Sequence, residues 1–172
     1  GPLDLSDLAS NYEAMLKGRA AANAGKDAAD RQLGGLVIFA SLGLPPASLE
    51  RLVADAARTR ALIVLRGMSD GSMQRTKARI KEATGSLRVA WQIDPTLFER
   101  FKVSAVPSFV LIDPARPVNV ACSSGDGFCQ EASFSRVAGD VSTQFALSDI
   151  ARRDPEFAAI ARRYAAPLGG LR

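Results

Sequence analysis

The chain has 172 residues, a formal net charge of +4, and 47% hydrophobic and 23% charged residues, the make-up of one soluble domain with a full core. It contains no histidine and two cysteines, which excludes Ser-His and Cys-His catalysis, histidine-bound zinc and an all-cysteine zinc site within one chain. No apolar run reaches the length of a membrane span, and the arginine pairs Arg152-Arg153 and Arg162-Arg163 read as solvated helix faces, since a nucleic-acid patch is denser and interleaved with aromatics.

Residues 1–35 read as a helical N-terminal extension. Gly1-Pro2 has the form of a protease scar, so a signal peptide removed before it is left open. Ser10 to Glu13 fits a capping box. Leu5, Leu8, Tyr12, Met15 and Leu16 recur at helical spacing, and the helical reading runs from residue 4 to residue 33. Gly34-Gly35 closes the region. These glycines precede a strand, so they cannot cradle a phosphate in the way a glycine-rich loop after a strand does.

From residue 36 to about 168 the pattern alternates between strand and helix. Leu36 to Ala40 is a buried strand. Pro45-Pro46 suits the first turn of a helix, whose apolar face is Leu49, Leu52, Val53 and Ala56. Ala61 to Leu65 is a second continuous apolar run, as in a parallel strand covered on both sides. A helix from Ser72 to Thr84 ends at Gly85. Leu87, Val89, Trp91 and Ile93 alternate with polar or small residues and predict a strand over 87–93. Asp94-Pro95 starts a short helix carrying Leu97, Phe98 and Phe101. Phe109 to Ile112 is another apolar strand. A hairpin is expected over 117–138, with Cys122 and Cys129 in or beside its loop. Ser142 caps a helix to Arg153, and Asp154-Pro155 starts the last one. Strands alternating with helices predict an α/β domain with a partly parallel sheet, and the late hairpin adds an antiparallel edge.

A strand, turn and helix over 36–59, and a Val106-Pro107 that runs directly into a strand, resemble the thioredoxin fold. In that fold a redox Cys-x-x-Cys opens the first helix and faces a cis-proline; a cis X-Pro bond is therefore expected at Val106-Pro107. The turn Ser41-Leu42-Gly43-Leu44 stands in the place of the redox motif and has no cysteine. Ser41 has no histidine to activate it, so a capping or structural role is expected, and no catalytic residue is assigned. Carboxylate spacing suggests no metal site, and no cofactor is expected.

The stretches FASLGLPPASLERLVADA, ALIVLRGMSDGSM, FKVSAVPSFVLID and VAGDVSTQFALSDIARR, spread over residues 36–153, resemble the F-type conjugative pilus assembly protein family TrbC. The resemblance implies a thioredoxin-like domain without the redox pair. It implies a periplasmic component of F-type type IV secretion systems that acts with TraW and other F-type components in an adaptor role. It implies neither nucleic-acid binding nor membrane insertion. On this reading a partner docks where three segments converge: Ser41, Leu42, Gly43 and Leu44; Ala105, Val106 and Pro107; and the loop from Gly139 to Val141. Leu42 and Leu44 supply apolar contact or, alternatively, join the core, while Asp140, beside Ser142, is expected to cap the following helix.

Cys122 and Cys129 enclose six residues rich in turn formers, a spacing that suits a structural disulfide in an oxidising compartment. Two other functions stay open at this stage: a periplasmic thiol-disulfide oxidoreductase or isomerase using these cysteines, and a cytosolic thioredoxin-like binding module in which the two thiols are buried and unpaired.

Overall fold

Apolar runs with no polar alternation belong to strands buried on both faces, and here they form the middle of one sheet. The computed structural model describes residues 32–120 and 133–172. In chain order these give β1 (Gln32–Leu33), β2 (Gly35–Ala40), α1 (Pro46–Thr59), β3 (Leu62–Leu65), α2 (Met73–Thr84) and β4 (Ala90–Ile93). Then follow α3 (Pro95–Arg100), β5 (Ser108–Ile112), β6 (Val118–Asn119), β7 (Phe134–Ala138), α4 (Thr143–Arg153) and α5 (Ala158–Ala165). Among the described residues no helix is long and apolar enough to cross a membrane.

Five strands lie in the order β4-β3-β2-β5-β7. β2 pairs in parallel with β3, and β3 in parallel with β4. β5 runs antiparallel to β2, and β7 antiparallel to β5. This is the expected mixed α/β sheet. It combines the strand–turn–helix, the later strand opened by a cis-proline, and the closing strand, glycine turn and helix of a thioredoxin-like fold.

Period-two side chains divide the core in two. Leu36, Ile38, Ile63, Leu65, Phe109 and Leu111 point to one face, where α1, α2, α4 and α5 cover them. Val37, Phe39, Val64, Val110 and Ile112 point to the other, against Leu97 and Phe98 of α3, Phe101 and Val103. The helix boundaries follow local chemistry. Asp94 Oδ1 accepts the Thr96 N–H at 2.9 Å, Ser72 Oγ accepts the Arg75 N–H at 3.2 Å, and Gly85 ends α2 at φ +57°, a conformation that costs glycine little.

Two sequence expectations change. Residues 4–31, with the proposed capping box, lie outside the described residues, but Gln32 and Leu33 are strand rather than helix. They pair antiparallel with Asn119 and Val118 of β6, and Arg100 ties the pair to α3 by donating to the Asn119 carbonyl. β6 pairs with β1 and β7 with β5, and the two are not paired with each other; residues 121–132, where the loop of the expected 117–138 hairpin falls, lie outside the described residues. The strand expected from Leu87 begins only at Ala90: the Leu87 N–H still donates to Thr84 O at 3.1 Å, so the chain is turning out of α2, and Leu87 is 45% exposed.

At the start of β2, Gly35 has φ +88°, and a Cβ there would lie 2.3 Å from Tyr164 Oη and 2.9 Å from Tyr164 Cζ. Gly35→Ala therefore combines left-handed strain with a displaced α5 ring. A loss of about 2 kcal/mol or more is expected, read as a lower urea midpoint with unchanged slope.

Candidate functional site

The turn after β2 closes on itself. The Gly43 N–H donates to Ser41 Oγ at 3.0 Å, and the Leu44 N–H to Ser41 O at 3.2 Å. Serine closes turns in this way, so Ser41 is part of the scaffold. Arg79 of α2 holds the same turn from its other side by donating to the Leu42 carbonyl.

Leu42 does not face solvent. It is 5% exposed and belongs to the cluster containing Leu52, Val53 and Ile80. Of the two readings of Leu42, the partner contact is corrected and the place in the core holds, because full burial of a leucine stabilises by about 1.5–3 kcal/mol. Leu44 is half-buried against the same cluster.

Asp140 is also placed differently from the expectation. The cap of α4 belongs to Ser142, whose Oγ accepts the Phe145 N–H at 3.0 Å. Asp140 accepts instead from Ser48 Oγ at 3.3 Å and Arg51 Nη2 at 2.9 Å, both near the start of α1. Pro45 gives that helix no side-chain cap. A carboxylate from a loop 92 residues further along the chain than Ser48 thus stands near the positive end of the helix. Both partners are exposed, so the ion pair with Arg51 contributes at most about 1 kcal/mol.

Val106-Pro107 is cis, as expected. Pro107 is buried, and its carbonyl accepts the Gly139 N–H at 3.0 Å, joining the second and third predicted segments. Ser108 Oγ donates to Ala105 O at 2.6 Å. Val106 is half-buried, and its peptide N–H and C=O make no hydrogen bond with another described residue.

Between these pieces lies a cleft of about 520 Å³, lined by Ser41, Leu42, Gly43, the loop from Arg66 to Asp70, Arg79, Phe98, Ser104 and Val106. Of the predicted site residues, Ser41, Leu42, Gly43 and Val106 meet there. Leu44 lines a different groove, of about 560 Å³, between α1 and α2 with Leu49, Val53, Ala83 and Leu87. Ala105, Pro107 and Asp140 support the cleft from behind or beside it and are not among its lining residues. Cys122 and Cys129 lie outside the described residues. Arg152 and Arg153 pair with Asp149 at 3.2 and 2.9 Å, in keeping with a solvated helix face.

Sequence reasoning passed over the loop after β3, including Arg66, Gly67 and Met68. The signal was available in the topology: parallel neighbours end on the same side of a sheet, so the loop after β3 must flank the turn after β2.

Among curated proteins none matches the chain. Among solved structures it is similar to a secreted Mycobacterium tuberculosis disulfide oxidoreductase homologous to E. coli DsbE, with 14% identity and a TM-score of 0.41 over 81% of this chain and 98% of that one. The family model for the type-F conjugative transfer system pilin assembly protein matches residues 38–150. That span runs from Ile38 in β2 to Ile150 in α4 and takes in all the residues that line the cleft. The chain belongs to this F-type TrbC family of conjugative pilin assembly proteins.

Proposed function

We propose that the protein is a non-enzymatic periplasmic adaptor of type-F pilin assembly, and that its cleft holds an extended segment of a TraW-like component of the same system. The observation that carries this reading is the cleft beside Val106, whose peptide groups are available to an added extended chain. Backbone pairing of that kind gives affinity, and the surrounding side chains give selectivity.

Two further features support binding over chemistry. The turn carries no thiol, and the Ser41 hydroxyl accepts from Gly43 in a chain with no histidine to deprotonate it. The positive end of α1, a setting that would lower a thiol's pKa, has Asp140 beside it.

The test is to obstruct the cleft without disturbing the fold. Gly43 and Gly67 both line it, and neither has a left-handed φ. A Cβ at Gly43 meets only Ser41 Oγ, at 3.4 Å, and one at Gly67 meets nothing within 4 Å. Gly43→Tyr and Gly67→Tyr are expected to keep the wild-type unfolding midpoint and to weaken binding to the cognate TraW at least tenfold, or about 1.4 kcal/mol. Wild-type affinity in both folded variants removes the cleft as the docking site. Insulin reduction that disappears in Cys122→Ser overturns the non-enzymatic reading, and fractionation of source cells checks the compartment.

A further inference from the structure

We propose that the cleft selects an acidic segment: a glutamate or aspartate side chain of the bound polypeptide sits on the guanidinium groups of Arg66 and Arg79. This rests on reading the cleft as a peptide site and adds the chemistry of its occupant.

Arg66 follows β3 directly. Its Nη2 donates to Val103 O at 3.2 Å, and its guanidinium lies over the Phe98 ring with Cζ 4.9 Å from the centroid. Arg79 donates through Nη2 to the Leu42 carbonyl and through Nη1 to Ser69 Oγ at 3.3 Å. Both side chains are thus anchored on neutral groups, and each keeps N–H donors beyond those it uses. Anchored, planar guanidinium groups lose less freedom when they bind a carboxylate.

Neither arginine has a carboxylate partner among the described residues, whereas Arg51, Arg152 and Arg153 each meet an aspartate at 2.9–3.2 Å. The acid on the cleft lining is Asp70, and Arg75, which lies outside the lining, stands 3.7 Å from it. The cleft therefore presents two cations and one anion that already has a counter-charge. Its remaining walls favour a polypeptide over a free anion: the half-buried Met68 and Val106 are apolar, and the Val106 peptide groups match another backbone.

The experiment titrates the protein with a capped hexapeptide of alternating alanine and glutamate, then with its glutamine counterpart, reading backbone amide shifts at matched ionic strength. The glutamate peptide is expected to shift Gly43, Gly67 and Val106 and to bind about tenfold more tightly than the glutamine peptide. Arg66→Gln and Arg79→Gln should each remove most of that preference, and added salt should reduce it. The glutamine peptide leaves the protein unaltered, so the comparison stands even if an arginine variant folds poorly.

Equal binding of both peptides at these amides overturns the acidic preference and leaves the cleft reading intact. A glutamate peptide that shifts none of these amides overturns the preference and counts against the cleft as well. Displacement of the peptide by inorganic phosphate at equal concentration, with the same shifts, makes this a simple anion site and overturns the polypeptide assignment.

Discussion

Leu42→Asp is expected to unfold the protein rather than weaken a partner contact in a folded one. Leu42 is 5% exposed within the larger core cluster. Truncating a buried leucine costs about 2–5 kcal/mol, and a carboxylate left there without a partner adds its own desolvation penalty. A total of about 4 kcal/mol or more is expected, a large share of the roughly 5–15 kcal/mol that separates folded from unfolded states. Chemical denaturation with circular dichroism checks it. A wild-type midpoint for Leu42→Asp contradicts the burial of this side chain. Loss of binding in such a variant says nothing about the docking surface, which is why the obstructing substitutions at Gly43 and Gly67 are the informative ones.

Phe39→Ala is expected to cost about 3–5 kcal/mol. Phe39 is fully buried in the middle of β2. Its ring meets Phe98 edge-on at 4.9 Å and Phe101 at 6.0 Å, and Phe101 in turn meets Phe134 at 5.0 Å. Together they make a row of rings that seats α3 on the sheet. The chain leaving α3 passes Phe101 and Val103, both buried, on its way to Ser104 and Val106 at the cleft. Removing Phe39 should therefore lower the urea midpoint and also speed amide exchange over 101–106, ahead of β2 and β5. Uniform acceleration across the whole domain would show that α3 has no separate dependence on this ring.

The legible parts of this fold were those fixed by near neighbours in sequence. Asp94-Pro95, Ser142 and Gly85 mark helix ends through bonds or backbone angles within a few residues. The runs at 36–40, 61–65 and 109–112 announce strands covered on two faces. What escaped was long-range and local-pattern-free. Two-residue strands such as β1 and β6 have no periodicity, and their pairing joins positions more than 80 residues apart. The alternation at Leu87 was genuine as a pattern, but the turn out of α2 used its first residues. At the cleft, the turn and the cis-proline were legible because each is a short contiguous motif. Arg66 and Arg79 were not, since single arginines on a loop and a helix acquire meaning only when the sheet order puts them side by side. Leu42 was ambiguous for a related reason: a leucine in a turn fits a partner contact or the core until the helices over that turn are known.

Asp140 also bears on what a thiol placed in the turn would meet. Placing two cysteines in the turn at 41–44 would write a Cys-x-x-Cys sequence at the start of α1. A new thiolate at the start of α1 would share the positive end of that helix with a carboxylate already bonded to Ser48 and Arg51. Because Arg51 meets that carboxylate at 2.9 Å, the thiol would face an ion pair rather than the bare helix end, and the guanidinium and the carboxylate would act on its pKa in opposite directions. A loop remote in sequence from the turn thus helps set the charge that any group placed at the start of α1 would meet.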